Sequence, residues 1–126
     1  MNVKPTSLLA ALLLPVLLTP TAFALSEQTR TDAELTLAEL TLSKGDCRGA
    51  AEKFQKLAMR RRDVAVAERA TAVGVLCSQL NSELKSARRW HELDSKSPAA
   101  ALALGRAAIQ SGLTNDARAA LQTFHD

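Results

Sequence analysis

Leu37-Ala38-Glu39-Leu40-Thr41-Leu42-Ser43-Lys44-Gly45-Asp46 is the stretch that decides the fold, because its spacing returns twice downstream. With Gly45, Ser78 and Gly112 aligned, the slot eight residues upstream holds Leu37, Ala70 and Leu104, followed by Ala38, Thr71 and Gly105. Downstream come Ala50, Glu83 and Ala117, then Phe54, Ala87 and Leu121, then Leu57, Trp90 and Phe124. A period of 33 to 34 residues, with small residues at fixed slots and a turn midway, is the pattern of stacked helical hairpins. Such units bury their apolar sides on one another and leave a long surface for a partner.

Working outward, six helices are expected and no strand. The first spans about Thr31 to Lys44, with Thr31 or Asp32 as its cap and Gly45 as its stop. Asp46 caps a second helix reaching about Arg62, with Ala50, Phe54, Leu57 and Ala58 on one side. Asp63 opens the third, through Val64, Ala67, Ala70, Val73, Val75 and Leu76, ending near Gln79–Asn81. Ser82 starts the fourth, with Leu84, Ala87, Trp90 and Leu93 on one side. Ser97-Pro98 is a capping serine followed by proline at the first helical position, and this fifth helix runs to Ser111. Thr114 or Asn115 caps the sixth. Small groups at Ala38, Gly105, Ala50 and Ala117 permit close approach, while Phe54, Leu57, Leu121 and Phe124 fill the space between hairpins. The middle unit departs from this scheme, with Thr71, Ser78 and Glu83 in the small or glycine slots.

These residues, and the runs Val66-Ala67-Glu68-Arg69-Ala70 and Trp90-His91-Glu92-Leu93 before Ser97-Pro98, resemble tetratricopeptide repeat (TPR) proteins, in particular the start of larger Gram-negative ones. The resemblance covers about residues 33–124 and weakens at Glu34, at Thr41 and through the middle unit. It implies an all-α, right-handed superhelical stack of about three hairpins and a protein-binding role, without naming a ligand. It also places the ligand along the first helix of each pair. The residues in those slots are Leu35, Glu39 and Leu42, then Glu68, Ala72 and Val75, then Leu102, Arg106 and Ile109, with Asp32, Ala65 and Ala99 beside them. An apolar strip edged by charge suits an amphipathic helix or an extended peptide.

The first 24 residues read as an export signal rather than as part of the fold. Lys4 supplies a positive start, Leu8–Leu18 an apolar run broken only by Pro15, and Ala22-Phe23-Ala24 a cleavage site. The run is well short of the ~20 residues of a membrane span. Leu25 follows the cut, so no lipid-carrying cysteine is expected. A linker of residues 25–30 then leads into the repeat domain of residues 31–126, placed in the periplasm.

In that compartment Cys47 and Cys77, the only two cysteines, read as a structural disulfide. One begins the second helix and the other ends the third, so an up-down stack brings them to the same end. Buried free thiols and a redox pair are the rival readings.

Other chemistry is sparse. A formal net charge of +3, or +2 without Lys4, does not mark a nucleic-acid binder. Phe54, Trp90 and Phe124 are too few aromatics for base stacking. Arg60-Arg61-Arg62 sits where cations offset a helix C-terminus. Arg88-Arg89 flank Trp90, which is expected to fill a seam rather than to bind a cation. His91-Glu92-Leu93-Asp94-Ser95 lacks the second histidine of a zinc-peptidase helix, and His91 and His125 read as surface residues. No catalytic group, metal set or cofactor is expected. A further partner or a second copy is expected at the apolar edge of the sixth helix, where Ala117, Ala119, Ala120, Leu121 and Phe124 gather.

Overall fold

The computed structural model describes residues 19–123, with side chains from residue 27 onward. These residues form six helices: α1 (Thr19–Ser43), α2 (Cys47–Arg60), α3 (Val64–Leu76), α4 (Leu80–Leu93), α5 (Pro98–Gln110) and α6 (Thr114–Gln122). There is no strand among them. The apolar run Leu8–Leu18, Phe124 and His125 lie outside the described residues. None of the described helices is long and apolar enough to cross a membrane. By its internal contacts the chain divides into Met1–Glu34 and Leu35–Asp126. The second unit holds the hairpins, the core and every site residue considered below.

Local chemistry sets most of the boundaries. Asp46 accepts from the Gly49 amide, Asp63 from the Ala65 and Val66 amides, and Ser97 from the Ala100 amide, which caps α2, α3 and α5 as expected. Two caps are not where the sequence suggests. The residue before α4 is Gln79 and the one before α6 is Leu113, and neither side chain caps its helix. Ser82 is instead inside α4, donating to Gln55 Oε1 on α2 at 3.3 Å. Nor does α1 begin at Thr31: it starts at Thr19, so residues 25–30, expected as a linker, are helical.

Gly45, Ser78 and Gly112 are the three described residues with positive φ, at 87°, 54° and 75°. Each turn closes in the same way. The amides of Gly45 and Asp46 donate to Leu42 and Thr41, those of Ser78 and Gln79 to Val75 and Gly74, and those of Gly112 and Leu113 to Ile109 and Ala108. This pair of bonds is the Schellman arrangement, which satisfies carbonyls that the helix end leaves open.

Packing follows the chain. Consecutive helices from α2 to α6 rest on one another, and α2 also meets α4. Phe54 and Val73 are fully buried in a core of Ala38, Ala50, Ala51, Leu57, Ala58, Val66, Ala67, Ala70, Trp90 and Ala100. A smaller cluster joins Leu84, Ala107, Ala108 and Ala117. Trp90 fills the seam, as expected. The cation beside an aromatic ring is a different one, Arg69, 5.7 Å from the centre of Phe54. Arg89 donates to the carbonyls of Ala58 and Arg61, so α4 supplies a cation to the C-terminus of α2.

Where a middle hairpin is expected, the packing is kept by a substitution the alignment does not reveal. Thr71 and Glu83 are buried like their counterparts Ala38, Gly105, Ala50 and Ala117. Room for Glu83 comes from Gly74, whose missing β-carbon lets α3 and α4 approach at that point.

Candidate functional site

Cys47 and Cys77 are bonded, with sulfurs 2.06 Å and α-carbons 5.3 Å apart. The bond joins the first residue of α2 to the C-cap of α3, so those two helices run in opposite directions. Cys77 packs against the main core.

The large apolar side chains left exposed are unevenly shared among the helices. Of the large hydrophobic side chains left exposed, Leu37 and Leu40 lie on α1, Val64, Val75 and Leu76 on α3, and Leu102 and Ile109 on α5. Among the described residues only Met59, on α2, and Leu113, in a turn, lie elsewhere. The exposed sides of α2, α4 and α6 instead carry Arg48, Glu52, Lys53 and Lys56, then Lys85, Arg88 and Glu92, then Asp116 and Arg118. Scattered exposed apolar groups are ordinary on a protein surface. Their concentration on alternate helices is not.

Most of the nine residues expected to line a ligand face are exposed, but not all. Glu68, Ala72, Val75, Leu102, Arg106 and Ile109 are exposed on α3 and α5, with Leu102 at 56% and Ile109 at 59%. Leu35 and Leu42 are half-buried, packed against the core. Glu39 is engaged, accepting two hydrogen bonds from Arg69 at 2.9 Å each. Those bonds hold its carboxyl below the usual range and hold the Arg69 guanidinium above its own. Partial burial opposes both shifts, and the opposite charges reinforce them.

Sequence reasoning missed Leu37, Leu40 and Leu76 as surface groups. The signal was present for α1. At 100° per residue Leu37 and Leu40 fall opposite Leu35, Ala38 and Leu42, and one helix cannot bury both sides here. It also missed Glu83, which is 4% exposed. Burial pushes that carboxyl up, and the positive charge of Arg106 pulls it down by less. Arg106 thus stands on the exposed side of α5 with a buried carboxyl behind it.

Two open clefts flank α6. One, of about 360 Å³, is lined by Ile109, Thr114, Ala117, Arg118, Leu121 and Gln122. The other lies by Arg88, His91, Leu104 and Asp116, where Arg88 pairs with Asp116 at 2.9 Å. His91 is half-buried rather than a surface group. Its Nε2 is enclosed, with no hydrogen-bond partner among the described residues.

No protein-family model matches the chain, and comparison with curated proteins finds no match.

Proposed function

We propose that this protein is an exported adaptor of three TPR-like hairpins, cleaved after Ala24, that binds another polypeptide along α1, α3 and α5. The observation that carries the reading is where the exposed large apolar side chains lie: of the nine among the described residues, seven are on these three helices. The shared hydrogen bonding at Gly45, Ser78 and Gly112 supports three equivalent hairpins. Stacked hairpins offer a partner the same side of every other helix. A face with apolar anchors and few charges suits a helix or an extended segment whose side chains enter between them.

Capture from extracts of cells producing the full chain tests this. Leu102→Lys and Arg106→Glu abolish capture of partner while Lys53→Glu, on the charged side of α2, leaves it intact. Loss with Lys53→Glu and retention with Leu102→Lys would move the site elsewhere. Export is tested separately by the mature N-terminus, which is Leu25.

A second reading rests on the cleft between Ile109 and Leu121. An apolar recess between α5 and α6 is where a further hairpin, or a partner's helix, would continue the stack. In that reading the stack needs such a cover for its stability.

A further inference from the structure

We propose that the C-terminal half of α2 rests on an anionic lipid surface, with Lys56, Arg60 and Arg62 against headgroup phosphates and Met59 among them. The inference concerns the outer side of α2 and holds whatever α1, α3 and α5 bind.

Arg60-Arg61-Arg62 is expected to offset the carbonyls at the end of α2. That place is taken from another helix: Arg89 of α4 donates to the carbonyls of Ala58 and Arg61 at 3.1 and 3.0 Å. The run is left for another use. Lys56–Arg62 holds four basic residues in seven and no acid. The nearest acids in sequence on either side are engaged. Glu52 pairs with Arg48 at 3.6 Å, and Asp63 accepts from the amides of Ala65 and Val66. Lys56, Arg61 and Arg62 form no ion pair among the described residues.

Placement turns the run into a surface. At 100° per residue Lys56, Met59 and Arg60 fall within about 100° of one another. They lie on the side of α2 away from Phe54 and Ala58, which are fully buried. Lys56, Met59, Arg60 and Arg62 are all exposed, Met59 at 49%. An open cleft of about 490 Å³ is lined by Gln55, Lys56, Met59 and Arg60. It sets two cations and an amide beside an apolar thioether chain, which suits a molecule with a charged head and a hydrocarbon tail.

Charge and shape together choose the partner. Clusters of four or more Lys and Arg on the outside of a helix are drawn to acidic headgroups, each charge contributing about fivefold in affinity near the surface. A bilayer is flat and fluid, so long basic side chains need no matched geometry on it. An acidic protein would need a matched geometry, and protein interfaces are depleted in lysine and built on large apolar anchors. Met59 is the one such group here. A nucleic acid would need rings to stack on, and Phe54 and Trp90 are both buried.

Co-sedimentation with lipid vesicles tests this, using protein purified from cells expressing the full chain. Wild type binds vesicles of phosphatidylcholine containing about one-third phosphatidylglycerol at ~0.1 M salt, and ignores phosphatidylcholine alone. It is released at ~1 M salt, where screening acts beyond about 3 Å. Lys56→Glu/Arg62→Glu lowers the affinity at least ~10-fold. Lys56→Gln/Arg62→Gln falls between that pair and wild type, and keeps the test decisive if charge reversal disturbs folding. Lys44→Glu/Arg118→Glu makes the same change of net charge on exposed positions elsewhere and stays within about threefold of wild type. An equal loss with this last pair would trace the attraction to overall charge and overturns the proposal. So does a wild type that leaves the anionic vesicles unbound. Tighter binding to poly-glutamate than to those vesicles overturns it too, and would make the patch a site for an acidic protein.

Discussion

Gly74 and Glu83 face each other across α3 and α4 so closely that a β-carbon on Gly74 would lie 2.7 Å from the α-carbon of Glu83. The obstacle is backbone, which cannot swing aside as a side chain can. Gly74→Ala gains ~1 kcal/mol of helix propensity but overpacks the contact, which costs ~1–3 kcal/mol. The expected outcome is a net loss of stability in denaturant unfolding. Gly105 is the comparison, since its added carbon would meet the Leu121 side chain at 3.0 Å. Leu121 is only half-buried and has space to turn. Gly105→Ala is therefore near neutral, and an equal loss at both positions would refute the distinction.

The same pair shows where sequence reading stops. An alignment by slots marks Glu83 as a defect, since its counterparts are Ala50 and Ala117. It gives no sign that the compensating small residue lies in the facing helix, nine positions before it, at Gly74. By contrast, features set by chemistry within a few residues were legible. Asp46, Asp63 and Ser97-Pro98 act as caps because a short acceptor beside an open helix start suffices. Gly45, Ser78 and Gly112 share a turn because that turn demands a left-handed residue. The starts of α4 and α6 were not legible, because packing rather than a side-chain cap sets them. Residues 25–30 hold no glycine or proline to end a helix, so α1 extends upstream through them. The candidate face was half legible: α3 and α5 expose the expected residues, while Leu35 and Leu42 on α1 serve the core.

Ser78 holds its turn at a price the two glycines avoid. A side chain at positive φ is strained by ~1 kcal/mol or more, and glycine relieves that at some cost in unfolded-state entropy. Ser78→Gly is expected to stabilise the protein by up to ~1 kcal/mol. Gly112→Ala is expected to lose ~1 kcal/mol, purely through backbone conformation. Nothing lies within 4 Å of a carbon added at Gly112, so the loss cannot come from a clash. Thermal melts of the two variants moving in the same direction would contradict this account.

The Cys47–Cys77 bond closes a loop of 30 residues between two helices that already pack together. Constraining the unfolded chain over that span contributes roughly 3–4 kcal/mol in the chain-entropy account. Reduction, or a Cys47→Ala/Cys77→Ala double variant, should lower the denaturation midpoint markedly while leaving helix content largely in place below it. A midpoint unmoved by reductant would show that packing of α2 on α3 already supplies the constraint.

Glu83 links this architecture to pH. The residue is buried where α3 meets α4, and burial raises its pKa more than the charge of Arg106 lowers it. The folded state therefore holds the proton more tightly than the unfolded chain does. The stability Glu83 contributes is full below the ordinary glutamate range and is lost as pH rises through its raised folded value. Glu83→Gln keeps the shape without the charge, so it should melt above wild type at neutral pH. The gap should close as the pH falls below ~4, where the wild-type carboxyl is protonated in both states. Paired thermal melts across that range decide the matter. A glutamine variant that melts lower at neutral pH would mean that attraction to Arg106 outweighs the cost of burial, reversing the order of the two effects.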